Sequence, residues 1–168
     1  DELYVKTHRG TYTTEAVVKV HNRRCENLLT NIEKLSVIAA LFGMSYPAED
    51  IRVLWETLLL NQVHDNLDGT SIEQAYQDSI LDYMKIKLKG DRLLNEALKA
   101  ITSKINTLKV NRSLIVFNTL PWDRDDIVEV ETQEDISLVD SDGNLVPIQR
   151  DFETGKLIFI ARGVRLRL

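Results

Sequence analysis

From Ala16 to Phe42, apolar residues return every three or four positions. Val17, Val20, Leu28, Ile32, Leu35, Ala39 and Phe42 are separated by Arg23, Arg24, Glu26, Glu33 and Lys34. That period predicts a helix with one buried stripe. Thr14 stands where an N-cap belongs, and Gly43 where a left-handed residue would close the helix. Pro47 opens a second helix carrying Ile51, Leu54, Trp55, Leu58 and Leu59, which ends near the polar stretch NQVHDNLDGTS, residues 61 to 71. Gly69 is read as the stop. Thr70 with Glu73, or Ser71 with Gln74, has capping-box spacing for a third helix. That helix runs through Ile72, Ala75, Tyr76, Ile80 and Tyr83, passes Gly90, and continues through Leu94, Leu98, Ile101 and Ile105. Gly90 is expected to break or weaken it.

After Asn106 the period changes. SLIVF, DIVEVE, ISLVD, LVPIQ, LIFIA and VRLRL are short, rich in β-branched residues and separated by turn residues such as Asp142-Gly143-Asn144 and Thr154-Gly155. Alternation in IVEVE and VRLRL points to sheets with one buried and one wet face. The expected fold is α+β: a three-helix bundle over residues 15–106, then an antiparallel β-sandwich portion over 107–168, with the boundary near residues 106 to 112. The last strand runs to Leu168 without a closing turn, so the β part is expected to be incomplete.

Composition narrows the function. An apolar fraction of 43% suffices for a packed core, and a net charge of −5 with both signs intermixed provides no basic stripe, so nucleic-acid binding is disfavoured. Cys25 is the only cysteine, which excludes an intramolecular disulfide and a CxxC motif and fits a reducing, cytoplasmic setting. The apolar runs at 36 to 44 and 54 to 60 are far short of the ~20 residues that span a bilayer. No secretory leader precedes DELYVKTHRG, and the chain reads as though it begins inside something longer.

The polar stretch carries the candidate chemistry. On a helical wheel His64 lies above Leu60 and roughly opposite Trp55, so it faces away from the stripe that packs the bundle. A histidine at a helix C-terminus ordinarily complements the dipole there. Asp65, read as part of the same last turn, has the wrong sign for that position, and broken local rules concentrate at functional sites. Leu58, Leu59 and Leu60 in succession suggest a helix end covered on more than one side. Other residues have structural readings: Trp55 and Tyr76 in core stripes, Trp122 packed at the joint between helices and β domain, His21 solvated, and Cys25 a small buried hydrophobe.

NQVHDNLDGTS resembles the segment NQFHDILPGTS of glycoside hydrolase family 38, the class II α-mannosidases. ELYVKTHRGTYTT (residues 2 to 14) is similar to that family's ELYxxxHRGTYTS, at the end of its catalytic domain. SLIVFNTLPWDRDDIVEV (113 to 130) is similar to the opening of its C-terminal β domain. Order and spacing match across residues 2 to 130. The resemblance implies that residues 1–14 end a catalytic domain, that His64 is one of four ligands to a catalytic zinc or other divalent cation, and that Asp65 contacts sugar hydroxyls. The other ligands, including the carboxylate nucleophile of a two-step retaining displacement, would belong to an N-terminal catalytic domain of the same polypeptide. One ligand cannot hold the metal alone, so this chain is expected to be inactive by itself. Arg9 and Tyr12 would line the sugar site, although a polar joint into the first helix explains them as well.

Val63 stands where secretory-pathway members carry a second histidine, which likens the chain to the cytosolic microbial or vacuolar branch. Asn66 and Asp68 replace Ile and Pro of the family segment, Asp68 being read as a turn residue before Gly69. The expected substrate is a terminal α-mannoside or an oligosaccharide bearing one. A family 38 hydrolase of mannosylglycerate or another small mannoside is the alternative within the fold, and a non-catalytic helical adaptor the alternative outside it.

Overall fold

The helical period is present, and Ile32, Leu35 and Ala39 are buried as their spacing suggests, but toward its N-terminus the first helix buries a different face from the one carrying Val17 and Val20. Helix α1 spans Ala16–Leu41 and buries Val18, Asn22, Cys25, Leu29, Ile32, Leu35, Ser36 and Ala39, while Val17 and Val20 face solvent. Apart from Leu35, the buried positions step by four and three alternately, the spacing of a coiled-coil seam. Asn22, Cys25 and Ser36 sit on that seam, so a reading by hydrophobicity alone slips onto the neighbouring valines. Thr14 does not cap α1. The N-cap is Glu15, in the left-handed region at φ 50° with no side-chain cap bond. At the other end Gly43, φ 94°, lets its own N–H bond to Ala40 O at 3.1 Å and Met44 N–H to Ala39 O at 3.2 Å, a complete Schellman closure.

The computed structural model describes residues 10–107 and 112–164, and the chain divides into two compact units, Asp1–Asn106 and Thr107–Leu168. In the first, α1 is followed by α2 (Ala48–Asn61), the single turn α3 (His64–Leu67) and α4 (Glu73–Thr102). Neither expected capping box forms at α4: the N-cap is Ile72, and the Ser71 N–H donates instead to the Tyr76 hydroxyl at 2.6 Å. Gly90 does not break α4. It is buried against α1, where a Cβ would lie 2.7 Å from Leu28 Cδ2 and 3.2 Å from Ile32 Cδ1, so its missing side chain lets two helices approach closely. The α4 seam of Tyr76, Ser79, Tyr83, Ile86, Gly90, Leu93 and Ala97 repeats the four-and-three spacing of α1.

Cross-helix partners fix the directions. Cys25 and His21 meet Tyr83, and Leu28 and Ile32 meet Gly90, so α1 and α4 run parallel. Gln62 reaches Asn22 and Glu26, Asn61 reaches Asp82, and Asp50 pairs with Lys89, so α2 runs antiparallel to both. The core between them holds Val18, Leu29, Ile32, Ile51, Leu54, Leu58, Tyr76, Tyr83, Ile86 and Leu93, with Trp55 and Leu67 against it. His21 is not solvated as expected: its ring stacks on Tyr83, centroids 5.9 Å apart and planes 14° from parallel. Cys25 is buried and free, as a small apolar filler would be. No helix among the described residues is long and apolar enough to cross a membrane.

The second unit is antiparallel. Strands β1 (Arg124–Val130), β5 (Leu157–Val164) and β4 (Ile148–Arg150) form one sheet in that order, and β2 (Leu138–Val139) pairs with β3 (Leu145–Val146) in a two-stranded ribbon. Val128 lies opposite Phe159 and Val130 opposite Leu157, which places the more buried side chains on one face. The turns at Gly143 and Gly155 fall where the sequence puts them, both glycines at positive φ. SLIVF, 113–117, is not a strand, because a β-branched run becomes one only where another strand offers free backbone groups, and none pairs with it among the described residues. Trp122 is more than half exposed. Most of VRLRL lies outside the described residues.

The Tyr83 hydroxyl is buried in the bundle with no hydrogen-bond partner among the described residues. Burial, reinforced by Cys25, Glu26 and Asp82, pushes it from an ordinary 10.0 up to about 12. A raised folded-state value means that the stability held below pH 10 is lost as pH rises toward 12. Tyr83→Phe is therefore expected to leave stability near pH 7 almost unchanged, since no bond is lost, and to flatten its alkaline decline. Cys25, pushed up to about 11 by burial, retains part of that decline. Urea midpoints measured across this pH range check the expectation.

Candidate functional site

The stretch from Asn61 to Ser71 hangs at the end of α2 and is held from several sides. The buried positions of α2, Ile51, Leu54 and Leu58, continue to Asn61. Asn61 Nδ2 donates to Thr57 O at 2.9 Å within its own helix and to Asp82 Oδ2 on α4 at 3.1 Å. Burial raises the Asp82 carboxyl, but hydrogen bonds from Lys85 and Asn61 outweigh it and hold the group below its ordinary value. Gln62 Nε2 donates to Asn22 Oδ1 at 3.0 Å and Glu26 Oε1 at 2.9 Å on α1. Asn22 Nδ2 in turn donates to Glu26 Oε1 at 3.2 Å, and Arg23 pairs with the same glutamate at 2.7 Å.

Val63, at φ −52° and ψ 137°, is extended, so α2 ends before His64. The chain then makes one turn, α3, closed by the Asn66 and Leu67 N–H groups on Val63 O, both at 3.0 Å. This corrects the electrostatic reading of Asp65. The carboxylate is not in the last turn of a long helix but in the first turn of a new short one, so the dipole penalty argued from the sequence does not arise. The His64 ring projects outward as the helical wheel suggested, though from α3 and not from α2: its side chain is 87% exposed and that of Asp65 64%, with Nε2 and Oδ1 3.3 Å apart.

Anchors follow immediately. Leu67 packs on the bundle core, and Asn66 Nδ2 donates to the buried Ser79 Oγ at 2.7 Å. Asp68 makes an Asx turn, its Oδ1 accepting from Thr70 N at 3.1 Å and Thr70 Oγ1 at 2.9 Å, which bears out its reading as a turn residue. Gly69 has φ 92°, and a Cβ there would lie 2.6 Å from Thr14 Cγ2. Thr14 belongs to a second tight turn. The Gly10 carbonyl accepts from Thr13 N at 3.0 Å, Thr14 N at 2.7 Å, Thr13 Oγ1 at 3.2 Å and Thr14 Oγ1 at 2.7 Å. The turns GTYTT and DNLDGTS, far apart in sequence, therefore meet at one end of the bundle.

Of the other residues singled out, Tyr12 is exposed on the first of these turns, and Arg9 lies outside the described residues. Among the described residues no three His, Cys, Asp or Glu side chains cluster as a metal site would require. An outward imidazole beside a carboxylate fits a share of a divalent site, and a complete site needs more ligands than this surface offers. Sequence reasoning missed the amides of Asn61, Gln62 and Asn66 and the paired hydroxyls of Thr13 and Thr14. A signal was available for Asn61, which continues the α2 seam at a position where an apolar residue would pack.

A family model described as the alpha mannosidase middle domain matches residues 6–101, more than half of the chain. The chain belongs to that family. Alpha-mannosidase 2C1 of Mus musculus is 38% identical over 129 residues, covering 76% of this chain and 12% of the mouse protein. The Homo sapiens protein of the same name is 36% identical over the same share of each. A solved structure of a glycosyl hydrolase family 38 protein from Enterococcus faecalis superposes with a TM-score of 0.74 at 18% identity, over 93% of this chain and 24% of that one, and so shares its fold. The chain thus spans about an eighth of the length of these two curated relatives. The likeness to glycoside hydrolase family 38 read from three motifs holds.

Gly69→Ala is expected to destabilise the domain by about 1–3 kcal/mol, because the new methyl must occupy both a left-handed backbone conformation and the space of Thr14. Urea unfolding of the chain measures the loss.

Proposed function

We propose that this chain is part of a retaining, metal-dependent α-mannosidase that hydrolyses terminal α-mannosides. In this reading residues 1–14 end the catalytic domain, 15–106 form the helical middle domain, and 107–168 begin the C-terminal β domain. His64 is one ligand of a divalent cation, zinc first among the candidates, and Asp65 binds hydroxyls of the sugar. The catalytic domain of the same polypeptide brings the remaining ligands, the carboxylate nucleophile and the acid.

The observation that supports this most is local. Two family motifs converge at one end of the bundle, and the segment between their contact and α2 presents His64 and Asp65 outward with the donor atoms 3.3 Å apart. A metal bound there would orient and polarise hydroxyls of a mannose ring. This chain's own part is to hold one imidazole and one carboxylate at fixed positions facing the catalytic domain. Around them Leu59, Leu60, Val63 and Ile72 are exposed, an apolar rim that burial against the catalytic domain would cover. Cleavage itself needs two carboxyl groups flanking the glycosidic bond. Asp65 would be a binding group beside them.

In the complete polypeptide, His64→Ala is expected to abolish metal retention and to reduce kcat/KM for an aryl α-mannoside by at least about a thousandfold, in line with loss of a charge-stabilising group. Metal analysis after dialysis, together with initial rates, tests this. The chain alone, given zinc and the same mannoside, is expected to release no aryl alcohol.

A further inference from the structure

His64 and Asp65 sit between two sets of side-chain amides, and those amides are the unusual feature of this end of the bundle. Asn61 and Gln62 precede the pair with only Val63 between, and Asn66 follows at once. Each reaches a different residue of the scaffold: Asp82 at 3.1 Å and Ser79 at 2.7 Å on α4, Asn22 and Glu26 at 3.0 and 2.9 Å on α1. The helix end does not need them for closure, since the Gln62 N–H already bonds to Leu59 O at 3.1 Å. Nor do they serve the core, because Asn22, Asn61 and Ser79 occupy seam positions where apolar side chains would pack without a desolvation cost. What a polar seam residue contributes is register: it fixes which residues face each other, at the expense of stability.

We propose that Ser79 and Asp82 of α4 and Glu26 of α1 are positioning residues for the outward pair, acting through Asn66, Asn61 and Gln62. The inference rests on the reading of His64 as a metal ligand and goes beyond it by assigning its aim to three residues that touch neither metal nor sugar. Gln62 ties the departing chain to α1, Asn61 ties it to α4, and Asn66 ties the returning chain to α4 one residue past Asp65. The backbone that carries the pair is thus fixed before and after it, which sets where the imidazole can meet a metal shared with the partner ligands. Groups that orient a ligand from behind change metal affinity by about 10- to 100-fold when removed.

The test uses the complete polypeptide, with zinc as the probe and its dissociation constant measured by chelator competition at a temperature where every variant is folded by circular dichroism. Ser79→Ala and Asp82→Ala are each expected to weaken zinc binding about tenfold. Asp82→Asn, which keeps an acceptor for Asn61, is expected to restore most of it. Asn66→Leu combined with Ser79→Ala replaces the bonded pair by an apolar one of similar volume and is expected to bind zinc within about threefold of wild type, since neither partner is left unsatisfied. His64→Ala separates the two claims. If it leaves zinc stoichiometry intact, the reading of His64 as a ligand fails, and this inference with it. If it removes zinc while Ser79→Ala and Asp82→Ala bind as tightly as wild type, the positioning role alone is overturned.

Discussion

The amide of Gln62, shared between Asn22 and Glu26, is the contact on which the rest of this molecule's arrangement depends. A three-helix bundle with a leucine-rich core can slide: seams with alternating four-and-three spacing fit their neighbours almost as well one turn along. Hydrogen bonds cannot slide in that way. The bonds of Gln62 to α1 and of Asn61 to α4 are made at the last residues of α2, so the antiparallel helix is pinned to both parallel ones at the point where the chain departs toward His64. Gly90 complements this by bringing α1 and α4 close enough for both to be reached.

The same economy explains two departures from the family segment. Where the family has Ile and Pro, this chain has Asn66 and Asp68. An isoleucine would hold the turn by packing and a proline by its fixed φ. Here Asn66 holds it by a bond to Ser79, and Asp68 by an Asx turn onto Thr70. The turn survives both replacements because the conformation is secured further along by Gly69, which has room for no side chain beside Thr14.

Much of this was legible before the structure. The helical periods and the turns at Gly143 and Gly155 follow from spacing and turn chemistry, whereas His64 points outward from α3 and not from the α2 wheel that suggested it. The fold class and family follow from the same patterns together with three motifs in register. What was not legible has a common physical cause. The α1 seam runs through Asn22, Cys25 and Ser36, so hydrophobicity pointed to the wrong valines. Thr14 could be an N-cap or could turn back on Gly10 O, and Ser71 could cap α4 or give its N–H to Tyr76; each choice depends on a partner distant in sequence. The break at Val63, which moved Asp65 from the end of one helix to the start of another, is set by the anchors on either side of it and leaves no mark in a periodic pattern.

The central claim is that the bundle alone holds the turn bearing His64 and Asp65 rigid and outward, with no help from any other domain. Backbone 15N relaxation of the isolated chain measures this directly. The account predicts order parameters for residues 64–67 close to those of α1 and α4, about 0.85. Values below about 0.6 confined to this turn would mean that the amide anchors do not fix it, and would contradict the account.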